Sequence, residues 1–225
     1  MPFRDRAEAG RRLADELAAR RFERPIVLAL PRGGVPIGFE VARRIDAPLE
    51  AFVARKVGAP DQPEFGIGAV GEGGTVVADR ATVAALGLTD ADFDRLVALA
   101  RDEVRRRVQR YRDDRPLPEL AGRDVVLIDD GLATGVTAEA ALSDLRRRSP
   151  RSLVLAVPVC AGDTAARLGS MADEVVCVEV PLSFGGVGRW YDRFDQTTDE
   201  EVLDLLARAG ADRGGDADDP TSAWT

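Results

Sequence analysis

Residues 125–137 read VVLIDDGLATGVT, and the rest of the chain takes its meaning from them. The first four are apolar and three of these are β-branched, the composition of a strand buried on both faces. Asp129 and Asp130 follow at once. A small-residue turn, Ala133-Thr134-Gly135-Val136-Thr137, leads into the helical-looking AEAALSDLRRR. Such a turn gathers backbone N–H groups and the positive end of a helix dipole at one point, which suits a phosphate dianion. The Thr134 and Thr137 hydroxyls add donors, and the two carboxylates can accept from neighbouring sugar hydroxyls. The plainer alternative is a strand end with an ordinary helix cap, where Asp and Thr are common. A cap alone does not require an acidic pair and T-G-x-T at this spacing.

Outward from this stretch, strand-like and helix-like segments alternate. Residues 9–20 are amphipathic at helical spacing, 26–30 (IVLAL) read as a buried strand, 35–44 as helix and 49–53 as strand. Residues 57–68, VGAPDQPEFGIG, are rich in Gly and Pro and are expected to be mobile. Glu72-Gly73-Gly74 reads as a hairpin turn between 67–70 and 75–78. Residues 89–112 form a long charged helix, with Thr89 and Asp92 as the two halves of a capping box. Beyond the central motif, 153–159 and 174–178 read as strands, and 164–171 and 199–209 as helices. This order predicts an α/β fold: a doubly wound, mostly parallel sheet flanked by helices, whose ligands sit at the C-terminal strand ends. Arg32-Gly33-Gly34 and Asp129-Asp130 both fall at such ends.

With 225 residues, one domain over 1–208 is expected, with a loop, hairpin and helical insertion at 58–118, a small hood at 181–196 and a disordered tail at 209–225. The charged N-terminus lacks the apolar core of a signal peptide, and no long apolar run suggests a membrane span, so a cytoplasmic location is expected. Cys160 and Cys177 lie in strand-like runs and read as buried thiols. Histidine is absent, which excludes Ser-His-Asp and Cys-His catalysis and any His-ligated metal. The net charge of −8 disfavours broad nucleic-acid binding.

The stretch VVLIDDGLATGVT resembles the phosphoribosyl-pyrophosphate (PRPP) binding motif of the type I phosphoribosyltransferases at all thirteen positions in type and order. The resemblance implies a pentosyl transfer. The 5-phosphoribosyl group of PRPP passes to a small nitrogenous base and pyrophosphate leaves, with Mg2+ as cofactor and a homodimer as the assembly. It implies that Ala133, Thr134, Gly135, Val136 and Thr137 hold the 5′-phosphate, while Asp129 and Asp130 hold the ribose hydroxyls and the metal. It makes Arg32-Gly33-Gly34 the pyrophosphate loop, which in the family often carries a strained or cis peptide. Arg55 and Lys56 then supply further basic side chains. Lys56 is the one lysine among 31 basic residues, so a compact point charge has survived there where arginine prevails elsewhere. On this reading Arg32, Lys56, Asp129 and Asp130 are the catalytic group, and the segment 58–74 is the family's flexible active-site loop.

Phe184, Trp190, Tyr191 and Phe194 fall within eleven residues of a chain with 5% aromatics. The resemblance makes this the hood over the acceptor, with Phe184, Trp190, Tyr191 and Asp192 as acceptor-binding residues; Asp192 and Asp195 either contact an acceptor or simply face solvent. A satellite core under the last helix is the equal alternative. Hypoxanthine and guanine enzymes of the family usually carry Asp where this chain has Ala133, together with a hood lysine that is missing here. That speaks against a 6-oxopurine acceptor. The PRGGVP loop and RKxGAP stretch look most like a poorly characterised subgroup of the family. The competing reading is a non-catalytic protein of this fold that senses PRPP or a nucleotide.

Overall fold

In the computed structural model, which describes residues 2–214, the apolar run 125–128 lies at the centre of a parallel sheet. Strands β1 (Ile26–Ala29), β2 (Leu49–Ala51), β6 (Asp124–Ile128), β7 (Ser152–Val159) and β8 (Glu174–Glu179) are ordered β2-β1-β6-β7-β8. Leu28 pairs with Leu127 across β1 and β6. Every residue of β1 and β6 is buried, which explains their unbroken apolar character.

Alternation along these strands serves two faces. Val27, Ala29, Val126 and Ile128 pack with helices α1 (Arg6–Ala18) and α2 (Gly34–Arg44). Ile26, Leu28, Val125 and Leu127 pack with α5 (Val136–Arg146) and α6 (Gly162–Leu168). Helix α7 (Asp199–Gly214) lies against α2. It continues to Gly214, so the tail expected from residue 209 is helical that far. The remainder of that tail, 215–225, lies outside the described residues. Because the strand order runs outward from β1 to β2 on one side and from β6 to β8 on the other, the switch point is the β1–β6 boundary.

The Gly- and Pro-rich stretch 57–68 falls within two paired strands. Strands β3 (Ala54–Ala59), β4 (Gln62–Gly71) and β5 (Val76–Ala78) form a separate antiparallel sheet. Its glycines permit close approach: a Cβ on Gly58 would lie 2.2 Å from the Pro63 carbonyl oxygen. Helices α3 (Arg80–Ala85) and α4 (Asp90–Arg112) come next, and α4 opens with the anticipated Thr89–Asp92 capping box.

Two buried acids moor this insertion. Asp144 of α5 accepts from the amides of Gly73 and Thr75 at 2.8 and 3.0 Å. Glu72 accepts from the Val53 amide at 2.7 Å and pairs with Arg112 at 2.7 Å, both side chains being 5% exposed. Arg112 also donates to the Ala51 carbonyl at 2.8 Å.

The cysteines require a correction. Cys160 and Cys177 are disulfide-bonded, with Cα atoms 6.4 Å apart, rather than two separate thiols. Parallel β7 and β8 run side by side, which carries the two residues to neighbouring positions. Among the described residues no helix is long and apolar enough to cross a membrane.

Candidate active site

Two loops meet at the β1–β6 boundary. The first leaves β1 through Pro31-Arg32-Gly33-Gly34, and its Pro31–Arg32 peptide bond is cis. The second leaves β6 through Asp129 and Asp130. The loops are packed so closely that a Cβ on Gly33 would lie 1.9 Å from Asp130 Oδ2, and one on Gly34 2.8 Å from the Ile128 carbonyl oxygen. Glycine at these positions is what lets the acidic pair and the Arg32 loop share one crevice.

The turn into α5 is held from both sides. Gly135 adopts φ +67°, and a Cβ there would also meet Thr164 Cγ2 at 2.6 Å. The carbonyls of Ala133 and Thr134 are taken by donors from α6, the Thr164 hydroxyl at 2.6 Å and Arg167 Nη2 at 2.5 Å. No side chain caps the start of α5. The first-turn amides of a helix have no partner within it. Ala133 and Thr134 are exposed, and Val136 and Thr137 half-buried.

Facing this crevice is a cleft of about 930 Å³ whose lining includes Pro31, Arg55, Lys56 and Asp130, with Leu96, Leu99 and Glu103 of α4 along one wall. Lys56 sits on β3 with its stem against Gly66, where a Cβ would lie 2.8 Å from Lys56 Cδ and 3.7 Å from Val136 Cγ1. The insertion thus brings the lone lysine next to the first turn of α5. Arg55 is exposed beside it. Arg32 points its guanidinium towards Asp199 at the start of α7, at 3.9 Å. Asp199 also takes Arg110 Nε at 3.0 Å and the Tyr111 hydroxyl at 2.5 Å. Burial, with help from Asp199, pushes the Tyr111 phenol up to about 12.

The two acids have different surroundings. Asp130 receives Arg6 Nε at 3.0 Å and Arg6 Nη2 at 2.8 Å, both on Oδ2. Burial raises its carboxyl and Arg6 opposes that rise. Among the described residues no cation is hydrogen-bonded to Asp129: burial, reinforced by the charge of Asp130 and only partly opposed by that of Arg6, holds its carboxyl well above the ordinary range. Its Oδ1 accepts from the Asp130 amide at 2.9 Å.

Of the proposed acceptor residues, Tyr191 is packed away rather than presented. Its ring lies 5.5 Å from Phe3 and 4.9 Å from Phe194, and its hydroxyl donates to the Asp130 carbonyl at 2.7 Å. Phe184 and Trp190 are half-buried in the same satellite cluster, where the Trp190 indole donates to the Phe184 carbonyl at 3.0 Å. Asp192 is exposed, its amide donating to the Phe3 carbonyl at 2.8 Å. Tyr191 thus belongs to a satellite core, but one built with Phe3, Ala9 and Val159 rather than against the last helix, and Val187 of the same segment lies where a Cβ on Gly131 would come within 2.6 Å of it. Sequence reasoning missed Arg6, Asp199 and the α4 wall. All three reach the site by long-range packing, and no local pattern announces them.

Residues 4–189 match the sequence profile of the phosphoribosyl transferase domain. The chain belongs to this family. A Mycobacterium tuberculosis protein provisionally named a phosphoribosyl transferase is 45% identical over 210 residues, covering 93% of this chain and 47% of its own length. The chain therefore spans about half the length of that relative. The crystal structure of TT1426 from Thermus thermophilus is 47% identical, with a TM-score of 0.77 over 92% of this chain and 99% of that one. AQ2163 from Aquifex aeolicus shares the fold at 15% identity, with a TM-score of 0.50 over 89% of this chain and 84% of its own. As in other phosphoribosyl transferase domains, the mostly parallel α/β sheet is flanked by helices.

Proposed function

We propose that the chain transfers the 5-phosphoribosyl group of PRPP to a nitrogenous base and releases pyrophosphate. One observation carries this reading: a Gly-rich arginine loop, an acidic pair and an uncapped helix start converge at the sheet's switch point, opposite a cleft bearing Arg55 and Lys56. Each part meets one portion of the donor. The first-turn amides of α5, with Thr134 and Thr137, take the 5′-phosphate. Asp129 and Asp130 accept from the ribose hydroxyls. Arg32, Arg55 and Lys56 balance the pyrophosphate as the C1–O bond breaks, the C1–N bond forms and the base nitrogen gives up its proton. The sugar passes through an oxocarbenium-like state, so the residues contribute positioning and charge balance rather than a covalent intermediate.

The donor set fits magnesium only as an ion carried by the ligand. Among the described residues no cluster of three or more His, Cys, Asp or Glu could hold a metal. Mg2+ typically takes one or two carboxylates together with substrate phosphates, and Asp129 with the remaining oxygen of Asp130 supplies that many. When bound, such an ion would neutralise the pyrophosphate oxygens.

The test is a screen of free bases with PRPP and Mg2+, following pyrophosphate release. Base-dependent release supports the transferase and names its acceptor. Tight PRPP binding without release under every base overturns catalysis in favour of the sensing alternative.

A further inference from the structure

The acidic pair has an unforeseen resident partner, and its geometry says more than an ion pair need say. Arg6, the first residue of α1, places two nitrogens on the single oxygen Oδ2 of Asp130. The pair is nearly enclosed, the side chains being 12% and 18% exposed. Both Arg6 bonds fall on Oδ2 and neither on Oδ1, and Asp130 lines the large cleft. Arg6 lines a separate cavity of about 380 Å³, with Pro36, Asp195 and Thr197. The pair thus borders two cavities, Arg6 on the one and Asp130 on the other.

The same guanidinium holds the hood. Its third nitrogen, Nη1, donates to the Asp195 carbonyl at 2.6 Å, and its carbon stands 4.0 Å over the Phe194 ring. Tyr191, stacked on Phe194, closes the circuit through its hydroxyl on the Asp130 carbonyl. The arginine loop joins from below, since a Cβ on Gly33 would lie 3.1 Å from Arg6 Nε as well as 1.9 Å from Asp130 Oδ2. One side chain thus touches the sugar-binding acid, the hood and the pyrophosphate loop.

We propose that Arg6 is a positioning residue that fixes the rotamer of Asp130, presents Oδ1 alone to the ribose, and ties the hood segment 184–195 to that acid. This rests on the phosphoribosyl reading above for the identity of the ligand, but not for the tie to the hood. The planar fork is the working part. A lysine would keep the charge but offers one nitrogen, which cannot bind Oδ2 and the Asp195 carbonyl in the same geometry while stacking on Phe194.

The experiment compares wild type, R6K, R6M, D130N and the double variant R6M/D130N by PRPP titration calorimetry, with hydrogen exchange followed over residues 184–195. R6M and R6K should each weaken PRPP binding by about ten-fold or more, with no rescue by lysine. The double variant should bind no worse than D130N, because both changes remove one and the same interaction. Additive losses, or full rescue by R6K, would overturn the proposal. If wild type fails to bind PRPP, the phosphoribosyl reading falls separately. The tie is then judged on exchange: faster exchange over 184–195 in R6M upholds it, and unchanged exchange there refutes it.

Discussion

Replacing Arg112 by methionine tests how the insertion is moored. Arg112 and Glu72 are each 5% exposed, and among the described residues the Val53 amide is the one further partner of the Glu72 carboxylate. R112M leaves a buried carboxylate without its cation and the Ala51 carbonyl without its donor. Removing one partner of a buried ion pair costs about 3–5 kcal/mol. For a domain of this size each kcal/mol lowers Tm by about 2–4 °C, so the drop should be roughly 6–20 °C. Urea unfolding followed by far-UV circular dichroism gives the free energy directly. The double variant R112M/E72M removes the stranded charge as well. It should recover a good part of the loss, leaving about 1–3 kcal/mol for the two buried backbone groups without partners, the Val53 amide and the Ala51 carbonyl. A loss below about 1 kcal/mol in R112M would refute the reasoning, since that is the behaviour of an exposed pair. So would a double variant no more stable than the single one.

Three further outcomes are expected at the site. A carboxyl raised by burial, as in Asp129, weakens the folded state at neutral pH, and the penalty fades as pH falls and the group takes up its proton. D129N should therefore abolish PRPP binding in calorimetry while raising neutral-pH stability by about 0.5–2 kcal/mol, and a destabilised D129N would count against this assignment. D199N removes the carboxylate facing Arg32 and should strengthen pyrophosphate binding about two- to five-fold, the range of a partly exposed contact; weaker binding would show that Asp199 holds Arg32 in place instead. Hydrogen bonds from Arg106, with support from Arg107, hold the Glu103 carboxyl down at about 2 against an ordinary 4.5. Its contribution is complete above the ordinary value and is lost as pH falls towards 2, so E103Q should flatten the acid limb of the stability curve.

What could be read from the sequence was what is encoded locally. The motif 125–137 places its strand, acids, turn and helix within thirteen consecutive residues, so chain order alone assembles them. The α4 start was legible because a capping box spans three residues. Lys56 and Arg32 stood out by composition and by their place after a strand. Arg6 could not be found this way: its partner is 124 residues distant and its neighbours form no pattern. The β3–β4 hairpin was hidden because glycine and proline usually mark loops, whereas here they let two backbones pack closely. The disulfide was equally hidden, because its pairing depends on which strands become neighbours in the sheet.

Asp144 lies on the same helix that opens after the Ala133–Gly135 turn, about 12 Å along the axis from Val136. Because it grips the β4–β5 turn, the sheet that bears Lys56 is mounted on that helix as well. The protein therefore behaves as a caliper with one solid beam. The span between its two jaws is set by helical pitch, so any change that shifts Asp144 along the helix shifts the sheet that bears Lys56 with it.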